Sequence, residues 1–139
     1  MTSPEPLLHG GCLCGAMRYT LAGSPIDAGY CHCRMCQLAN GAPVVAWATV
    51  RAAAFQYRQG SPSTYVSSTR YQREFCATCG TQLVFRRQQT PGYVDVTLAS
   101  LDDPGAVNPE YHIWRDSRIV WFETADQLPR HADAGPDQD

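Results

Sequence analysis

Seven cysteines stand in three tight groups: Cys12 and Cys14, then Cys31, Cys33 and Cys36, then Cys76 and Cys79 followed by Gly80. Thiols this close together serve as disulfides, metal ligands, redox pairs or an iron–sulfur cradle. An odd count leaves at least one outside any internal pairing. The stretch from Met1 to Cys12 carries Pro4, Glu5 and Pro6 and offers neither a basic start nor an apolar run of secretory length. A cytoplasmic location is therefore expected, where thiols stay reduced and metal binding or catalysis outranks structural disulfides.

Spacing sorts the ligands. Residues i and i+2 of an extended strand face the same way, so Cys12 and Cys14 can address one metal, and so can Cys31 and Cys33. Cys76-Ala77-Thr78-Cys79-Gly80 suits a tight turn whose backbone amides point at thiolate sulfurs, with the glycine permitting positive φ. Such a turn supplies two ligands and needs two more. Cys12 and Cys14 are the complement, because the middle group already offers three thiolates within six residues. The expectation is a four-thiolate site (Cys12, Cys14, Cys76, Cys79) and a separate three-thiolate site (Cys31, Cys33, Cys36), with two Zn²⁺ per chain.

A four-thiolate zinc has no vacant position and is structural. Rubredoxin-like iron or an iron–sulfur cluster is the alternative, and would be coloured. Three thiolates leave the fourth place that catalytic zinc gives to water or substrate. A thiol is the apt occupant, since zinc would lower its pKa and hold it as a thiolate aimed at an electrophile. In the competing arrangement His32, His112 or a carboxylate closes this site too. Three ligands hold metal less firmly than four, so the second ion is expected to be the labile one.

Neighbouring residues carry two readings each. Arg34, inside the ligand loop, can offset thiolate charge or be a solvated loop arginine. His32 points away from the face of Cys31 and Cys33 in an extended segment, which favours support or surface placement over ligation. His112, beside Tyr111 and near Trp114, reads as a paired structural histidine before a general acid. Trp47, Trp114 and Trp121 lie in apolar contexts that predict core packing. Asp102-Asp103-Pro104-Gly105 is a turn signature.

The elements that must position these groups read as mainly β. Short runs rich in Val, Thr, Tyr and Phe, separated by Gly, Pro, Ser and Asp, predict strands over Ala16 to Leu21, Gly29 to Cys33, Val44 to Val50, Phe55 to Arg58, Thr64 to Ser68, Tyr71 to Phe75, Gln82 to Arg86, Tyr93 to Ala99 and Ile119 to Glu123. One short helix is predicted over Arg34 to Asn40, stopped by Asn40-Gly41 and Pro43. Residues 1–9 read as a lead-in, 10–124 as one domain and 125–139 as a polar, frayed tail.

At 139 residues the chain is long enough for a core of its own, so it does not need metal merely for lack of size. No stretch approaches a transmembrane helix. With 11 basic residues against 13 acidic and no run of like charge, nothing marks a nucleic-acid or membrane surface.

Gly10-Gly11-Cys12-Leu13-Cys14-Gly15-Ala16, Cys31-His32-Cys33-Arg34-Met35-Cys36, Phe75-Cys76-Ala77-Thr78-Cys79-Gly80-Thr81, Leu101-Asp102-Asp103-Pro104 and His112-Ile113-Trp114 follow one another in an order that resembles the glutathione-dependent formaldehyde-activating enzyme family, which also includes centromere protein V. The resemblance spans roughly Gly10 to Leu128. It implies a β-tent zinc-binding fold of small antiparallel sheets, structural zinc on Cys12, Cys14, Cys76 and Cys79, and catalytic zinc on Cys31, Cys33 and Cys36. It also implies the activity of a carbon–sulfur lyase, in which the glutathione sulfur adds to formaldehyde. The partners are then a small thiol and an aldehyde. A family enzyme acting on a different thiol, or a zinc-stapled binding module without catalysis, is the alternative. Ser100 departs from the glycine expected before the Leu-Asp-Asp-Pro turn.

Overall fold

The computed structural model describes residues 7–89 and 91–135. The strands are β1 (Leu7–Gly11), β2 (Arg18–Ala22), β3 (Asp27–Cys31), β4 (Val45–Arg51), β5 (Phe55–Gln59), β6 (Ser63–Val66), β7 (Tyr71–Phe75), β8 (Gln82–Arg87), β9 (Tyr93–Thr97) and β10 (His112–Ile113). A single α-helix, α1 (Arg34–Asn40), follows β3, and short 3₁₀ turns make up the remaining helical structure among the described residues. The fold is mainly β, as the turn and strand pattern predicts. Strands β1, β2 and β5 form one sheet; the other runs β10-β3-β4-β9-β8-β7-β6. All pairings are antiparallel except β10 with β3.

Register explains why the large sheet has one dry face and one chemical face. Glu74, Val84, Val96, Ala48 and Ala28 pair in a row across β7, β8, β9, β4 and β3. All five are buried, and the four apolar members of the row face the core with Tyr19, Leu21 and Leu83. Strand residues alternate faces, so the adjacent row, Arg73, Phe85, Asp95, Thr49 and Asp27, must lie on the opposite side.

The helix begins and ends where its sequence says. Cys33 is its N-cap, the thiol accepting from the Cys36 amide, and Gly41 ends it in the left-handed region at φ 59° with its N–H bonded to the Gln37 carbonyl. Ser100, the departure from the expected glycine, closes the 3₁₀ turn Leu98–Ser100: its hydroxyl donates to the Thr97 carbonyl and meets the Tyr19 hydroxyl at 2.7 Å.

Four expectations are corrected. The run Ile119 to Glu123 is not a strand; the Phe122 amide folds back on the Ile119 carbonyl at 3.0 Å, and Val120 and Trp121 are exposed. The outer side of β10 is instead bridged in parallel by Arg130, which leaves that run no ladder to join. Trp121 and Trp114 lie outside the core, whereas Trp47 is buried. β1 begins inside the expected lead-in, at Leu7, and runs on through Gly10 and Gly11, which disguise it; Gly10 passes so close beneath Tyr19 that a Cβ would sit 2.3 Å from its ring. The residues expected to fray beyond Ala125 are docked as far as 135, with the His112 amide on the Pro129 carbonyl, the His131 amide on the His112 carbonyl and the Trp114 amide on the Asp133 carbonyl. Residues 136–139 of that segment, and 1–6 of the lead-in, lie outside the described residues.

Candidate metal centres and the cleft beside one of them

The seven thiols gather into a group of four (Cys12, Cys14, Cys76, Cys79) and a group of three (Cys31, Cys33, Cys36), the sulfurs of each within 4.8 Å of one another. Cys12 and Cys14 sulfurs are 3.6 Å apart, Cys14 and Cys76 3.8 Å, and Cys31 and Cys36 3.4 Å. A disulfide would need about 2.0 Å. Four sulfurs at about 2.3 Å from one tetrahedral zinc stand about 3.8 Å apart, so the donor set and its spacing fit that ion.

Local structure places the four sulfurs by two facing turns. Cys12 and Cys14 follow the end of β1 and sit on a turn, not on a strand: the Gly15 amide bonds the Cys12 carbonyl at 3.2 Å, with Gly15 at φ 84°. The Met17 amide donates to the Cys12 sulfur at 3.2 Å. Cys76 to Gly80 forms the second turn, the Gly80 amide on the Cys76 carbonyl at 2.8 Å and Gly80 at φ 81°. Thr81 ties the two together, its hydroxyl 3.3 Å from the Cys79 sulfur and accepting from the Leu13 amide at 3.0 Å. The Thr81 hydroxyl, with backbone amides of the two turns, holds the Cys79 thiol down to about 5. That sulfur is a ready anionic ligand at neutral pH.

The three-thiolate group sits where β3 passes into α1. Cys31 ends the strand and Cys36 lies one turn into the helix; both are buried. Cys33 keeps an extended backbone as N-cap, φ −65° and ψ 150°, so its thiol stays on the side of Cys31 although the strand has ended. The Cys36 amide donates to the Cys33 sulfur at 3.2 Å. Hydrogen bonds from Cys31 and then Cys36 hold Cys33 well below the usual thiol range, while contacts with Cys33 and then Cys36 push Cys31 well above it. Three sulfurs in so dry a place cannot all ionise without a cation, and a metal binding there would displace protons. Among the described residues no histidine or carboxylate joins the three.

Cys31 and Cys33 line one end of an open cleft of ≈ 1120 Å³ that runs over the chemical face of the large sheet. Its floor carries Arg73, Phe85, Asp95, Thr49 and Asp27, and its walls include Trp47, Tyr71, Trp114 and Arg34. Thr49 donates to Asp95 at 2.6 Å and Tyr111 to Asp27 at 2.7 Å.

The supporting residues divide as follows. Arg34 lines the cleft, exposed, with Nη1 on Gln37 Oε1 at 3.2 Å. The cation that touches a thiol of this group is Arg73, whose Nη2 is 3.7 Å from the Cys36 sulfur. Sequence reasoning missed it, although an arginine two residues after Tyr71 on the same strand face, just ahead of a ligand pair, is a readable sign. His32 turns away from the thiols, as its place between them predicts, and meets His112. His112 is fully buried and paired, and is not among the cleft residues. Gln37 clamps the loop from behind, its amide donating to the His32 carbonyl at 2.8 Å and to the Ser117 carbonyl at 3.1 Å. Among the described residues no helix is long and apolar enough to cross a membrane.

Comparison with known proteins agrees with this architecture. The crystal structure of a Rhodobacter sphaeroides protein, solved as a structural genomics target, is similar over 88% of this chain and 98% of its own, with 26% identity and a TM-score of 0.59. No curated protein gives a significant sequence match. A family model described as glutathione-dependent formaldehyde-activating enzyme matches residues 7–117, which takes in both thiol groups, α1 and the strands that floor the cleft. The chain belongs to the glutathione-dependent formaldehyde-activating enzyme family.

Proposed function

We propose that the protein is a zinc-dependent carbon–sulfur lyase of the S-(hydroxymethyl)glutathione synthase type, activating a glutathione-like thiol for addition to formaldehyde or a related aldehyde. The observation that carries the reading is the trio Cys31, Cys33 and Cys36 opening on a cleft while the other four thiols form a group of their own. On this reading Cys12, Cys14, Cys76 and Cys79 hold a structural zinc, and Cys31, Cys33 and Cys36 a catalytic one. Zinc bound to the trio would hold an incoming thiol as its thiolate at neutral pH.

The chain's own residues do the rest. Cys36 and Cys31 keep the site dry, Gln37 fixes the loop, and the cleft walls orient the substrate's remaining bulk. In the reaction a carbon–sulfur bond forms, the aldehyde C=O becomes a C–O single bond, and the proton lost by the thiol returns to that oxygen. The partners are a small thiol and an aldehyde, with no part for nucleic acid or membrane. Seven unbonded thiols suit a reducing, cytoplasmic setting.

Exchange NMR on glutathione with formaldehyde tests the proposal. Zinc-loaded protein should accelerate interconversion of glutathione and its hydroxymethyl adduct, and a Cys33→Ser variant should not. Equal exchange rates with and without loaded protein would reject this substrate pair.

A further inference from the structure

Arg73 lies mid-strand in β7 with 4% of its surface exposed. Its guanidinium stacks over Phe85 with Cζ 4.9 Å from the ring centre, and Nη2 reaches the Cys36 sulfur at 3.7 Å. Nη1 is buried and has no hydrogen-bond partner among the described residues. Glu74, the adjacent carboxylate, faces the other side of the sheet and is taken by Arg86 at 2.9 Å and the Tyr57 hydroxyl at 2.8 Å. Arg73 therefore carries a buried positive charge with no carboxylate against it among the described residues, an arrangement that is unfavourable unless another anion answers it.

The anions on hand are sulfurs. Zn²⁺ with three thiolates carries one net negative charge, and a fourth thiolate makes two, whereas water or a neutral nitrogen ligand leaves it at one. A guanidinium beside the site favours the doubly charged state selectively, most of all where the surroundings are dry. With Nη2 occupied by Cys36, Nη1 is the donor left for an arriving anion at a residue that lines the cleft.

We propose that Arg73 is a specificity-determining residue of the three-thiolate site: its guanidinium bridges Cys36 and the incoming sulfur, and so selects an anionic thiolate over neutral ligands for the fourth position. The proposal rests on the reading of Cys31, Cys33 and Cys36 as an open zinc site. With zinc held by Cys31, Cys33 and Cys36, an incoming thiol would give its proton to solvent and take the place of the ligand before it, its thiolate then facing Arg73.

Isothermal titration of the zinc-loaded protein with 2-mercaptoethanol, and separately with imidazole, is the test, and it needs no turnover. Arg73→Gln should keep two zincs and weaken 2-mercaptoethanol binding about 10- to 100-fold, the range for hydrogen bonds to charged groups. Imidazole affinity should stay within about twofold by the same charge argument. Arg73→Lys keeps the charge without the fork and should recover part of the loss. If the Gln variant drops its zinc, the Lys variant is read alone and should lose thiol affinity several-fold with imidazole unchanged. Unchanged thiol affinity, or equal losses for both ligands, would overturn the assignment of Arg73. Failure of the parent protein to bind either ligand would instead strike the open-site reading itself.

Discussion

His32 Nε2 lies 2.8 Å from His112 Nδ1, and neither residue is exposed to solvent. His112 Nε2 in turn reaches the Asp126 carboxylate at 3.1 Å. A carboxylate only accepts, so the His112 nitrogen facing Asp126 carries a proton. Burial, and then the neighbouring His112, push His32 down to about 4, which keeps it neutral at physiological pH. The ligand loop is thereby tied through two imidazoles to the segment after β10. Tyr30 stacks on the His112 ring at 4.8 Å.

Asp126 is the anchor of that chain and supplies the first prediction. The Thr124 hydroxyl, with the Leu128 amide and His112, holds its carboxyl well below the usual carboxylate range. For a group so depressed, the contribution to docking is complete above the unfolded value of about 3.9 and is lost only as pH falls through the lower folded value. The Asp126 Cγ shift in a ¹³C NMR titration should stay flat from pH 7 to 4. At neutral pH, Asp126→Ala should speed hydrogen exchange of the His131 and Trp114 amides about tenfold. A carboxyl midpoint near 4, or unchanged exchange in the variant, would remove Asp126 from this role.

Metal content separates the two thiol groups. The parent should hold two zincs; Cys33→Ser should hold about one and stay folded, because three ligands bind a metal that the rest of the fold does not require. Cys79→Ser should melt far lower or precipitate. The four-thiolate site joins residues 62 apart in sequence at Cys14 and Cys76, and zinc binding worth ~10 to 16 kcal/mol in metal-folded peptides compares with a whole domain's ~5 to 15 kcal/mol. Elemental analysis and thermal melts read both. Loss of both zincs from Cys33→Ser with the fold intact would refute independent sites.

The thiol groups were legible because cysteine spacing restricts geometry even when the backbone guess is imperfect: Cys12 and Cys14 converge on a turn where a strand was expected, yet they still converge. Helix α1 was legible from Asn40-Gly41 and Pro43, residues whose backbone preferences are local. What escaped is what depends on distant partners. β10 has two residues and exists because β3 lies on one side of it and Arg130 bridges the other. Ile119 to Glu123 has strand composition, but Arg115 takes Glu123 at 3.0 Å and no edge remains for it. Arg73 went unremarked in the sequence because only register, which sets it opposite Phe85, puts it on the cleft side.

Gly29 is a packing requirement with a measurable size. A Cβ there would stand 2.2 Å from the Tyr111 ring, which lies across β3 to reach Asp27. Gly29→Ala should cost about 1 to 3 kcal/mol by overpacking, or roughly 4 to 10 °C in Tm. In a Tyr111→Leu background the same change should cost clearly less, since the ring it strikes is gone. Thermal melts of the four proteins measure the coupling; strictly additive losses would mean that the crowding is absorbed elsewhere.

Trp114 joins backbone strain to the cleft. Its φ of 58° and ψ of 37° make it the one non-glycine residue in the left-handed region among the described residues. The conformation directs the chain from β10 into the 3₁₀ turn Arg115–Ser117 while the half-exposed indole forms part of the cleft wall. Strain of this kind is worth about 1 kcal/mol between alanine and glycine. Trp114→Gly should therefore melt higher than Trp114→Ala by a few degrees, roughly the shift that 1 kcal/mol makes in a domain of this size. Both should bind glutathione more weakly than the parent and to the same extent, because both lose the ring. If alanine is the more stable of the pair, the turn does not hold residue 114 under strain. If glutathione affinity survives both changes, the indole covers the cleft without touching its ligand.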